Sequence, residues 1–237
     1  MLIPNTKLAN LRMLEFAAIK LGPLNKQIVF LGGCTLALFI TDNAAPDVRA
    51  TLDVDCIIDV ASPQEYHKVE AALLKQKFNP VIGGGVICRW QIDDLILDVK
   101  PTNEKILGFG NCWYAEAMEK KISYSLTDNI NIYSVSAPYF LATKFEAFKG
   151  RGKGDYLASH DLEDIIAVID GRRELVAEVL SSPANLRSYL AKEMGLLINN
   201  AQFLAALPGH LRDYGNIVYE RTEVIIKRLR AMVEKES

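Results

Sequence analysis

From Ala137 onward the chain carries almost only a helical period, whereas the residues before it switch repeatedly between strand-like and helix-like patterns. That change of period is the strongest constraint on the fold. It excludes an all-β architecture and a plain bundle. It predicts an α+β protein: a mixed β-sheet core with flanking helices over residues 1–135, followed by an all-helical C-terminal domain over residues 136–237. No long Pro/Gly/Ser stretch separates the halves. They are therefore expected to pack together and share a cleft, a common place for a ligand.

The first half reads in order. "MLIPNTKLANLRMLEFAAIK" is expected to be an amphipathic helix with a polar start. Ile28 to Leu31 is a short apolar run that suits a buried strand; it breaks at Gly32-Gly33 and resumes with helical spacing. "RATLDVDCIIDV" alternates and is rich in β-branched residues, which predicts a second strand. "SPQEYHKVEAALLKQKF" opens with Ser62 as N-cap, Pro63 at the first helical position and Glu65 at the third, a capping box. "GGGVICRWQIDDLILDVKPT" predicts a hairpin about Asp93-Asp94, ended by Pro101. "EKILGFGNCWYAEAMEKKISYSL" reads as a loop and a short helix, and "NINIYSVS" as another strand. The helical half divides into "APYFLATKFEAFKG", "ASHDLEDIIAVIDGR", "RELVAEVLSS", "ANLRSYLAKEMGLLINNAQFLAALPG" and "RDYGNIVYERTEVIIKRLRAMVEKE".

Composition narrows the function classes. The net charge is −2, so no global field draws the chain to nucleic acid or anionic membrane, and any polyanion site must be a local patch. No apolar run approaches the about 18–20 residues that span a bilayer, and the N-terminus lacks the basic n-region, continuous apolar h-region and cleavage site of a signal peptide. The expected location is cytoplasmic, with no membrane partner. The four cysteines, Cys34, Cys56, Cys88 and Cys112, form no C-x-x-C pair and read as reduced core or near-core thiols.

The informative residues are carboxylates in the wrong place. Asp53 and Asp55 are i and i+2 on the second strand, so both point to one face, about 6–7 Å apart along it. Two ionised carboxylates at that spacing repel, and a bound divalent cation turns the repulsion into ligation. Asp98 repeats the theme inside "LILDV". If its strand pairs beside the second, it comes within reach of the first two, because neighbouring strands lie about 5 Å apart. Three acids on adjacent strands make a platform for one or two metal ions. The competing reading places these acids at solvated strand ends, which is the reading preferred for Asp59. Gly32 and Gly33 then gain a purpose: a glycine turn lets backbone approach a ligand, and the helix N-terminus behind it suits phosphate.

A glycine turn, a strand with D-x-D and a third Asp on a following strand resemble the polymerase-β-type nucleotidyltransferase superfamily. The chain looks like its minimal AbiEii-type branch, some members of which are toxins of toxin–antitoxin pairs. The first motif is "GGCTLAL" followed by "RATLDVD". Gly33 stands where the superfamily usually has Ser. The AbiEii pattern K-x-x-A-x-x-x-R fits "KFEAFKGR", giving Lys144, Ala147 and Arg151. The following R-D-x-x-D-L pattern fits "HDLEDI", with His160 for Arg and Ile165 for Leu, keeping Asp161 and Asp164. The resemblance spans roughly residues 28–170.

The resemblance implies transfer of a nucleoside monophosphate from an NTP such as ATP to an acceptor hydroxyl, with release of pyrophosphate. Asp53 and Asp55 would hold Mg²⁺, with Mn²⁺ as the alternative ion. Asp98 would be third ligand and would draw the proton from the acceptor. Gly32, Gly33, Lys144, Arg151 and Asp161 would bind the nucleotide, Lys144 by neutralising the triphosphate. The acceptor is open among RNA, protein and small molecules, and a toxin would have an antitoxin partner.

From the residues alone, Lys144 is either a cation snorkelling into a cleft or a solvated surface lysine. "KGRGKGD", with Lys149, Arg151 and Lys153, reads as a basic loop suited to triphosphate or to an RNA backbone, or as a plain interhelix loop. It is no P-loop, since neither Ser nor Thr follows Lys153. Asp161 and Asp164 either organise a site or sit behind a Ser159 N-cap as dipole-favoured acids. Trp113-Tyr114 either stack on a base or pack internally. His67, His160 and His210 read as surface or capping residues. Two further function classes stay open: a nucleotide-binding or regulatory module of the same fold without catalysis, and a metal-dependent phosphoesterase.

Overall fold

The computed structural model describes residues 6–83, 86–152, 154–211 and 217–234. Met1 to Asn5 of the expected first helix, Gly84-Gly85 at the start of the expected hairpin, Lys153, and residues 212–216 and 235–237 of the last helical stretch lie outside the described residues. The chain forms two compact units: Met1–Leu38 with Asp47–Ser136, and Phe39–Pro46 with Ala137–Ser237. No helix among the described residues is long and apolar enough to cross a membrane.

The first unit is built on a seven-stranded mixed sheet. In chain order it contains α1 (Thr6–Leu21), β1 (Ile28–Leu31), a 3₁₀ turn (Gly33–Thr35) leading into α2 (Leu36–Phe39), β2 (Asp53–Ile58), α3 (Pro63–Lys75), β3 (Asn79–Pro80), β4 (Arg89–Ile92), β5 (Leu95–Pro101), α4 (Tyr114–Glu119), β6 (Ile122–Thr127) and β7 (Ile130–Ser134). The strand order is β3-β4-β5-β2-β1-β7-β6. Strands β2 and β5 run parallel with Asp55 opposite Asp98, and β1 runs antiparallel to β2 with Leu31 opposite Asp55.

Alternation along these strands sorts the side chains. Val54, Cys56 and Ile58 of β2 join Leu97 and Val99 of β5, Trp90 and Ile92 of β4, and Phe30 of β1 in one apolar core. Leu14, Ala17 and Leu21 of α1 and Tyr66, Val69 and Leu73 of α3 complete it. The odd-numbered positions of β2 point to the opposite face, which is where Asp53 and Asp55 stand. The hairpin turns at Asp93-Asp94 between Ile92 and Leu95, with Asp93 in the left-handed region at φ 51°. In α3 the Ser62 hydroxyl accepts the Glu65 N–H, and the Glu65 carboxylate accepts from the Ala61 N–H, one residue earlier than a standard capping box.

The sequence reading missed β6. Its side chains are exposed or half-exposed along its length, so it lacks the apolar alternation that marks a strand, and it forms the sheet edge.

The second unit is helical: α5 (Ala137–Arg151), α6 (His160–Gly171), α7 (Leu175–Leu180), α8 (Ala184–Ile198), α9 (Ala201–His210) and α10 (Val218–Val233). The stretch expected as one helix from Ala184 breaks at Asn199-Asn200. There the Asn200 side chain caps α9 by accepting from the Gln202 and Phe203 N–H groups at 2.9 and 3.0 Å. Residues 39–46 also belong to this unit. The N–H groups of Thr41 and Asp42 donate to the Gly171 carbonyl at 2.9 and 2.8 Å, and Asp42 pairs with Arg173 and Arg221. Phe39 packs on Phe140 with ring centroids 4.9 Å apart.

A candidate site of three aspartates and two cations

The first unit brings Asp53, Asp55 and Asp98 to one face of adjacent parallel strands, because residues in register on parallel strands share a face and β2 alternates with period two. Their surroundings hold two cations. Arg89, opposite Asp98 in the β4–β5 ladder, places its guanidinium between two of the acids. Its Nε donates to Asp98 Oδ1 at 2.8 Å, and its Nη2 donates to Asp98 Oδ2 at 2.9 Å and to Asp53 Oδ2 at 2.8 Å. Lys100, two residues beyond Asp98 on the same face, donates its ammonium to Asp55 Oδ1. The Thr51 hydroxyl donates toward the Asp53 carbonyl and carboxylate at 3.2 and 3.3 Å.

The charges answer one another. Burial pushes the Asp53 carboxyl above the usual range; Asp55 and Asp98 add to the push, and Arg89 and Lys100 counter it. The hydrogen bonds to Asp98 hold the Arg89 proton more firmly than in water, against the cost of burial. Burial works against the Lys100 ammonium, but the Asp55 carboxylate, with Tyr114 and Asp98 behind it, outweighs that and raises its pKa.

The glycine turn is shaped by the same residues. Gly32 has φ 79° and ψ −171°, a region open essentially to glycine alone. A Cβ there would lie 2.1 Å from Asp55 Oδ2. Gly33 has ordinary backbone, and a Cβ on it would lie 2.5 Å from the Arg49 guanidinium and 3.5 Å from the Thr51 hydroxyl. The first glycine thus makes room for an acid of the D-x-D pair, and the second for an arginine.

Three hard carboxylates within reach of one another are the donor chemistry of a divalent cation such as Mg²⁺. The local field also calls for positive charge, since it has gathered a guanidinium and an ammonium. As the side chains stand, however, no group of three His, Cys, Asp or Glu among the described residues could hold one ion. Arg89 lies where such an ion would draw Asp53 and Asp98 together.

The second unit gathers the remaining candidates. Lys144, only 7 % exposed, donates to Asp161 at 3.0 Å and pairs with the fully buried Asp164 at 2.6 Å. Arg151 closes α5 instead of sitting in a loop, and its Nε and Nη2 reach Asp161 at 2.7 and 2.8 Å. Burial opposes the Asp161 charge, but the Arg151 hydrogen bonds and the Lys144 charge outweigh that and hold its carboxyl below the usual range. Lys149 is engaged by Glu146 and Glu193, so the expected run of basic loop charges is largely paired. Ser159 caps α6 at 3.5 Å from the Leu162 N–H, and His160 lies exposed beside Glu163.

Several residues have bland roles. Asp59 is an exposed strand-end acid that accepts from the Thr102 hydroxyl. Trp113 is buried at the start of α4, which favours packing over base stacking. Cys34, Cys56 and Cys88 are buried and Cys112 is exposed. Arg89 and Lys100 were not singled out by sequence reasoning. For Lys100 the signal was parity, two residues from Asp98 as Asp55 is from Asp53; for Arg89 it was the hairpin register that sets it opposite Asp98.

No family model matches the chain, and no curated protein matches it.

Proposed function

We propose that the chain is a metal-dependent nucleotidyltransferase that moves a nucleoside monophosphate from an NTP to an acceptor hydroxyl. One observation carries the reading: three aspartates share one face of parallel strands beside a glycine turn whose first residue lies against one of them. Asp53 and Asp55 would hold the ion from β2, and Asp98 would complete the set and accept the proton of the attacking hydroxyl. When bound, Mg²⁺ supplies Lewis-acid polarisation of the reacting phosphate. Gly32 and Gly33 let the phosphates approach the backbone. Arg49, against Gly33, offers a guanidinium where the superfamily's usual serine would offer a hydroxyl. In the helical unit, Asp161 holds Lys144 and Arg151 in place, and the Arg151 side chain is largely exposed, where an anionic substrate would meet it. Such a transferase acting on RNA or protein would suit the toxin of a toxin–antitoxin pair.

The test is incubation with each NTP labelled at the α-phosphate, Mg²⁺ and cell extract. Label should move to an acceptor, and Asp55→Asn should abolish transfer. Retained transfer in that variant, or release of free labelled NMP alone, overturns the reading, the latter in favour of a phosphoesterase.

The guanidinium between Asp53 and Asp98 favours a second reading, a nucleotide-binding module without catalysis. Titration calorimetry with ATP, CTP, GTP and UTP separates the two. NTP binding that needs Mg²⁺ and is lost in Asp55→Ala supports the enzyme, and metal-independent binding supports the module.

A further inference from the structure

We propose that Arg89 is a resident counter-cation that keeps the acidic site closed, and that a divalent cation binds Asp53 and Asp98 only when the guanidinium swings out. The inference rests on the metal-binding reading above and adds a mode of regulation to it. Arg89 takes both oxygens of Asp98 through a two-pronged contact and one oxygen of Asp53 through the shared Nη2, at 2.8–2.9 Å throughout. Both acids are thereby committed to a single planar group. A cation drawing the same oxygens together cannot coexist with it.

Arg89 also has the right chemistry for a gate. Its charge cannot be titrated away, so the guanidinium leaves the acids by displacement and not by deprotonation. Its side chain is 28 % exposed, while that of Asp98 is 6 % exposed, so the acid stays in place and the long arm has solvent to move into. Once displaced, a guanidinium can pair with two phosphate oxygens at once, which gives an NTP arriving with its metal a means to hold the gate open. Lys100 pairs with Asp55, so the contacts that tie Asp53 and Asp98 to one group are those of Arg89. The measured metal affinity of such a site is its intrinsic affinity reduced by the fraction of molecules that are open.

The experiment is Mn²⁺ binding, followed by electron paramagnetic resonance, to the full chain and to Arg89→Ala. Tightening by about tenfold or more in the variant is expected. Binding in the wild type that the variant leaves unchanged or weakens overturns this inference alone. No binding in either protein overturns it together with the metal-dependent reading it rests on. A second measurement is read on the wild-type protein itself. The Arg89 Nε–H resonance of the wild-type protein, identified by its loss in Arg89→Lys, should shift when Mg²⁺ saturates the site. A resonance that stays put while Mg²⁺ binds overturns the gate.

Discussion

At the scale of single residues, the glycine turn is the most exacting feature. Gly32 combines a backbone region nearly exclusive to glycine with a Cβ position inside the Asp55 carboxylate. Gly32→Ala should therefore destabilise the protein by about 1–3 kcal/mol through backbone strain and displace Asp55 as well. Gly33→Ser should behave differently. Its φ is ordinary, and the nearest atom to a new Cβ is at the far end of the long Arg49 side chain, so the change in stability should stay within about 1 kcal/mol. Thermal unfolding of the two variants checks both expectations; a Gly33→Ser loss as large as that of Gly32→Ala contradicts the geometry. The residue scale also revises the effect of Asp55→Asn. From sequence alone the substitution relieves repulsion among acids. In the folded unit those acids already face Arg89 and Lys100, and the substitution leaves the Lys100 ammonium short of its main counter-charge. Loss of transfer in this variant is thus read together with its unfolding curve.

At the scale of elements, α5 and α6 are joined by a charged cluster inside the helical unit. Lys144 sits between Asp161 and Asp164, and Asp161 also takes Arg151. Lys144→Ala leaves the fully buried Asp164 without this cation, and breaking one side of such a pair costs about 3–5 kcal/mol. Chemical denaturation should register that loss, while an effect below about 1 kcal/mol would mark Lys144 as dispensable for packing. In the sheet, legibility followed burial. Strands β1, β2 and β5 were readable because one or both faces are apolar, and the β4–β5 hairpin because turn residues separate two apolar runs. Strand β6 was not, since its side chains face solvent along its length. The Asn199-Asn200 break was hidden because helical spacing resumes immediately beyond it, and the cap is written in a single side chain.

At the scale of the whole molecule, acid should act on the helical unit through named carboxylates. The Ala44 N–H, with Arg173 and Arg221, takes the Asp42 carboxyl down to about 2, and Asp161 lies below the usual range for the reasons given above. A carboxyl whose folded pKa is depressed stabilises the folded state fully above its unfolded value of about 3.9 and loses that contribution as pH falls through the folded value. Between pH 5 and pH 2 the helical unit should therefore lose stability. Hydrogen exchange in α5, α6 and residues 39–46 should accelerate over that window. In Asp161→Asn the loss over the window should be smaller. Unchanged protection down to pH 2 contradicts the assignment.

The sequence by itself determined the α+β class, the change to helix after residue 136 and the face on which Asp53 and Asp55 stand, because period and residue type are local and fix which way a side chain points. Only the tertiary structure decided what meets those acids. Arg89 lies 36 residues from Asp53 and Lys100 lies 45 from Asp55, and the Asp42 segment reaches partners 131 and 179 residues away. Such pairings depend on strand order, which no local pattern encodes, so the acids were legible while the partners of Arg89 and Lys100 were not.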